Sequence, residues 1–91
     1  MYKFRLYLYI TVQASKSIED AQNLKVLLDK RLKNQYSFEI VNVLDHPQLA
    51  QEDKILATPT LVKIAPPPEK RVVGDLSDKE RVLTALGLTG Q

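Results

Sequence analysis

The chain contains no cysteine and no tryptophan, a single histidine, a single methionine and only three glycines. Without cysteine there can be no disulfide framework, no dithiol redox centre and no thiolate metal site. One histidine then leaves a transition metal almost without a ligand set. No apolar run approaches the roughly 20 residues needed to span a bilayer, so no membrane role is expected. Excess charge of one sign is also missing. Thirteen basic against eleven acidic side chains leave a formal charge of +2, too weak to argue for nucleic acid. The first residues alternate in polarity, which is a strand pattern and not a signal peptide.

What is present is ordinary for a soluble globular chain: 44% apolar and 26% charged residues. Residues 1–91 are enough for one small domain with one modest core. Cysteine-free composition fits the cytoplasm, which is the expected location. No internal repeat is found, and only Pro66-Pro67-Pro68 is low in complexity.

From Lys3 to Ile10 the chain alternates, with Phe4, Leu6, Leu8 and Ile10 on one face and Lys3, Arg5, Tyr7 and Tyr9 on the other. Bulky groups on both faces predict a central strand. Thr11 to Lys16 reads as a polar loop. Ser17 offers an N-cap, with Glu19 and Asp20 in the first turn, where the helix dipole favours acids. Ile18, Ala21, Leu24, Leu27, Leu28 and Leu32 then recur at helical spacing. Phe38 to Leu44 predicts a second strand, completing a βαβ unit with parallel strands. Pro47 to Lys54 predicts a short helix with proline in its first turn. Pro59 suits the start of a third strand, Thr60 to Ile64, because proline lacks an N–H. Pro66 to Glu69 makes a turn into a short fourth strand, Lys70 to Val73, antiparallel to the third. Gly74 breaks it, and Ser77-Asp78-Lys79-Glu80 reads as a capping box. Val82, Leu83 and Leu86 form the stripe of a final helix, which Gly87 stops.

The predicted order is βαβαββα, an α/β arrangement, and Ala57-Thr58-Pro59-Thr60 resembles the cis-proline turn of thioredoxin-like folds. Asp45, Pro47-Gln48-Leu49-Ala50, the block from Glu52 to Leu61, and Gly74-Asp75-Leu76-Ser77-Asp78 followed by Val82-Leu83 together resemble the KaiB family of circadian clock proteins. The likeness spans nearly the whole chain at constant spacing. The input domain of the clock kinase SasA is a weaker match.

The resemblance implies a non-enzymatic binding protein that docks on the ATPase ring of a KaiC-type protein, regulates its phosphorylation cycle and can recruit KaiA. It also implies two folds. One is a thioredoxin-like monomer competent to bind KaiC; the other is an oligomeric ground state, a dimer or tetramer ordered βαββααβ. Two departures bear on the choice. Val12-Gln13-Ala14-Ser15 stands where members usually carry a Gly-Asn-Thr-Pro-like loop, and Ala85-Leu86-Gly87-Leu88 where clock members often have Gly-Leu-Asp-Leu. Alanine is favoured over glycine inside a helix by about 1 kcal/mol, and Gly87 suits a helix end, so the thioredoxin-like monomer is expected. Residues 1–91 do not include the acidic C-terminal run that many members carry. The alternative function is a sensor or interaction domain of the SasA kind, working outside timekeeping.

Candidate chemistry is sparse. Ser15 and Ser17 read as caps and not as nucleophiles, since no base is in view. His46, beside Pro47, reads as an exposed loop residue, and Glu52 and Asp53 as a solvated face and not an acid–base pair or cation site. Lys54, Lys63, Lys70 and Arg71 read as solvated surface charges that can steer a partner. No catalytic residue, cofactor or metal ligand is expected. The candidate partner contacts are Lys54, Thr58, Pro59 and Asp75, with Thr58, Pro59 and Gly74 also forming structural turns. At Gly74-Asp75 the turn and the partner-contact readings both stand.

Overall fold

Strand β1 (Phe4–Ile10) is flanked on both sides in the computed structural model, which describes residues 3–11 and 15–88. On one side β2 (Tyr36–Asn42) runs parallel to it, in register from Phe4 with Tyr36 to Ile10 with Asn42. On the other side β3 (Thr60–Ala65) runs antiparallel, and β4 (Lys70–Val73) is antiparallel to β3. The sheet order is β2-β1-β3-β4, so the strand with bulky groups on both faces occupies an interior position.

Period-two alternation along β1 divides the core in two. Phe4, Leu6, Leu8 and Ile10 pack with Ala21, Leu24, Leu28 and Leu32 of helix α1 (Ser15–Leu32) and with Val82 and Leu83 of helix α3 (Lys79–Ala85). The opposite face carries a smaller cluster of Tyr9, Val41 and Val62, with Tyr7, Val43, Ile55 and Ile64 packed against it. Helix α2 (Pro47–Glu52) accompanies this second face but buries no residue of its own.

Several boundaries differ from the sequence expectation, those of α1, β2 and α3 most informatively. Helix α1 opens at Ser15, two residues ahead of the expected cap at Ser17, and no acid lies in its first turn. Lys16 instead pairs with Asp20 at 2.9 Å, one helical turn on, which supports the earlier start. Strand β2 begins at Tyr36 and ends at Asn42 rather than spanning Phe38 to Leu44. Asn42 ends it: its side-chain oxygen accepts from the Leu44 N–H, and its carbonyl accepts from Asp45 and His46. The capping box is absent. Asp78, not Ser77, caps α3 by accepting from the Arg81 N–H at 3.1 Å, while the Ser77 N–H donates to Asp75 Oδ1 at 2.9 Å. Glu80 reaches across to Arg31 on α1 at 2.6 Å instead of back to Ser77. The loop positions 12–14, on which a departure from the family pattern was noted, and the tail at 89–91 lie outside the described residues.

The end of α3 decides between the two folds. Gly87 has φ +74°, the left-handed region that glycine enters without penalty. Its N–H donates to the Thr84 carbonyl, and the Leu88 N–H donates to that of Leu83. This is a Schellman closure, with Leu88 and Leu83 both buried as its apolar contact. Residues 79–85 are helical, so the chain is in the thioredoxin-like arrangement and not the βαββααβ alternative.

Candidate partner-binding site

Two stretches, 53–59 and 74–75, hold the residues singled out in the sequence. Helix α2 ends in its own Schellman turn. The Lys54 N–H donates to the Gln51 carbonyl at 3.1 Å and the Ile55 N–H to that of Ala50 at 2.8 Å. Lys54 occupies the left-handed position with φ +56°, a conformation that usually falls to glycine or asparagine. The helix therefore stops at Glu52, short of the expected Lys54. The turn sends Ile55 inward to the second cluster and leaves Leu56 facing out, 96% exposed.

Beyond it Thr60 Oγ1 donates to the Ala57 carbonyl at 2.6 Å, and the hydroxyls of Thr58 and Thr11 lie 3.2 Å apart. The Thr58–Pro59 peptide is cis. Gly74, at φ +103°, donates its N–H to the Pro59 carbonyl at 2.9 Å. The proline turn and the glycine turn are thus one joined feature. Lys54 and Thr58 both line a groove of about 710 Å³ whose other walls include Val43, Pro47, Ala50, Ile55 and Leu56. Asp75 stands apart from that groove. It lies 3.8 Å from Lys16 Nζ near the start of α1, with both side chains exposed. The Ser77 backbone N–H first, then the Ser77 side chain and, least, the Lys16 charge hold the Asp75 carboxyl below the usual carboxylate range.

Sequence reasoning missed two features here. Asp53 is not simply solvated: half-buried, it accepts a hydrogen bond from the hydroxyl of Tyr9, which is itself buried in the second cluster. Burial, then the Asp53 carboxylate, raises the Tyr9 hydroxyl well above the ordinary tyrosine pKa. The two residues are 44 positions apart, so no local pattern could announce the contact. Lys63 was expected on the surface. It is buried, its ammonium donating to the Pro66 carbonyl at 2.9 Å. His46 is exposed at the N-cap position of α2, as expected. Among the described residues no group of three or more acidic or histidine side chains could hold a metal ion, and no helix is long and apolar enough to cross a membrane.

A βαβ half, a cis-proline turn, a hairpin and a closing helix define a thioredoxin-like protein, here without any thiol. Solved structures agree on the fold. The N-terminal domain of SasA from Synechococcus elongatus aligns over 100% of this chain and 90% of its own, with TM-score 0.68 and 23% identity. The thioredoxin Deadhead from Drosophila melanogaster aligns over 96% and 81%, with TM-score 0.75 and 15% identity. The KaiB domain family matches residues 7–88. The circadian clock oscillator protein KaiB of Prochlorococcus marinus subsp. pastoris is 49% identical over 91% of this chain and 78% of its own length. That of Gloeothece citriformis is 46% identical over the same shares. The chain belongs to the KaiB family.

Proposed function

We propose that this protein is a non-enzymatic clock adaptor that docks, as a thioredoxin-like monomer in the cytoplasm, on the ATPase ring of a KaiC-type protein and so regulates its phosphorylation cycle. The observation that carries the reading is the helical, glycine-closed α3 in a chain of this family. That arrangement is the one the family resemblance associates with KaiC binding. If it is the resting state, no scarce conformer has to be waited for, and apparent affinity is not reduced by its fraction.

The docking surface in this reading is the groove beside the proline turn. Leu56 presents an almost fully exposed side chain there on a hydrogen-bonded frame, a natural apolar anchor. Lys54 supplies a charge at the rim and Thr58 a hydroxyl, while Pro59 and Gly74 hold the turn. Asp75 would add a second, separate contact. KaiA recruitment would follow on the assembled complex. The test is titration of the protein into a KaiC-type hexamer with ATP, followed by sedimentation. Wild type is expected to co-sediment, and Leu56→Ala and Lys54→Ala to bind at least several-fold more weakly, in line with truncated interface anchors. Unchanged binding by both variants would remove the groove from the interface. An absence of binding by wild type would reject the reading and favour the SasA-like alternative.

A further inference from the structure

We propose that Tyr9 is a positioning residue for this groove: by donating to Asp53, its hydroxyl sets where the segment from Lys54 to Leu56 sits over the sheet. The claim rests on the preceding reading only in calling that segment a docking surface.

The ring of Tyr9 needs no hydroxyl to pack. It is buried with Val41 and Val62, and Ile55 rests against the same cluster. A phenylalanine would fill that space equally well. A buried hydroxyl, however, must find a partner or lose its hydration uncompensated. Its partner arrives from the C-cap of α2.

That helix buries no residue, so it has no apolar stripe to fix it against the sheet. Its position depends on what holds its end. Asp53 is part of the closed turn in which Lys54 and Ile55 bond back to Gln51 and Ala50, and the Asp53 N–H itself bonds to the Leu49 carbonyl. Fixing the Asp53 carboxylate therefore fixes the origin of the Lys54 side chain and the direction in which Leu56 leaves the turn. The far end of the segment is held separately, by Thr60 on the Ala57 carbonyl and by Gly74 on the Pro59 carbonyl. The Tyr9–Asp53 bond acts at the near end, beside Ile55 packed on the same cluster, and not at the far one.

The raised ionisation of Tyr9 is consistent with this role, since the hydroxyl keeps its proton, and hence its donor, through neutral pH. Tyr7 and Arg71 also face the phenol electrostatically, with opposite effects smaller than those of burial and Asp53.

The experiment compares wild type, Tyr9→Phe, Asp53→Ala and the double variant by amide hydrogen exchange and by affinity for a KaiC-type hexamer with ATP. In Tyr9→Phe the Lys54 and Ile55 amides should exchange roughly tenfold faster or more, the scale of one lost hydrogen bond to a charged group. The Gly74 amide should not change. Affinity should fall, and the double variant should be no worse than the weaker single one, because both remove the same contact. Equal exchange at Lys54 and Ile55, or acceleration shared with Gly74, would overturn the proposal. So would faster local exchange with unaltered affinity. Asp53→Ala, which removes the acceptor, supplies the same test if Tyr9→Phe does not fold. Should wild type itself fail to bind the hexamer, the docking reading falls, and the exchange pattern still decides whether Tyr9 positions the segment.

Discussion

Gly87 and Lys54, both left-handed, close α3 and α2, and they differ in what the backbone costs. Gly87, at φ +74°, has nothing within 4 Å of the position its Cβ would take. Gly87→Ala would therefore meet no clash and only the left-handed penalty, about 1 kcal/mol. A urea midpoint unchanged by that substitution would contradict the C-cap assignment. Lys54 already bears such a penalty at φ +56°. Lys54→Gly should raise stability by up to about 1 kcal/mol while removing the charge proposed to meet the partner. Stability and binding should move in opposite directions, which chemical denaturation and titration together would show.

Tyrosine ionisation gives a pH prediction at the same scale. Tyr9 and Tyr36 are both raised, by burial first and then by the hydrogen bond to Asp53 and Asp29 respectively. In the unfolded chain these phenols deprotonate near about pH 10, while the folded chain still holds the protons. Their stabilising contribution is complete below that pH and falls as pH rises beyond it. Urea midpoints should thus decline from about pH 9 to about pH 11, and decline less in Tyr36→Phe. Asp75 behaves oppositely: its carboxyl is lowered, so whatever it contributes is present above the ordinary carboxylate range and lost on acidification.

Among the elements, periodicity told most. The β1 alternation, the α1 stripe and the Gly87 stop were legible because each rests on local spacing and local backbone preference. Cap identity was not. Ser77 and Asp78 are adjacent and both able to cap; which one does depends on Asp75 engaging the Ser77 N–H and on Arg31 drawing Glu80 away, contacts that span the fold. Asp78→Ala should cost about 1 kcal/mol, the usual value of a lost N-cap, and Ser77→Ala much less. Equal losses would restore the capping box. The β2 boundary moved for a similar reason: its register is set by β1, and Asn42 terminates it by bonding to its own neighbours. In the candidate site, the Thr58–Pro59 turn and Gly74 could be read from residue type. Tyr9–Asp53 and the burial of Lys63 could not, since each depends on a partner brought near only by folding.

At the scale of the whole molecule the two faces of the sheet are unequal. Among the described residues one is sealed by α1 and α3 around a contiguous apolar cluster; the other carries a smaller cluster, with α2 contributing nothing buried. A thiol-free thioredoxin-like fold with one lightly covered face and a protruding Leu56 is the shape the proposed adaptor reading uses. The measurement that tests this account most directly is the time course of complex formation with a KaiC-type hexamer and ATP at increasing protein concentration. The account predicts a single prompt phase whose rate rises with concentration, as expected when the binding-competent conformer is already populated. A slow phase independent of concentration would contradict it, because the chain would then have to refold before it could bind.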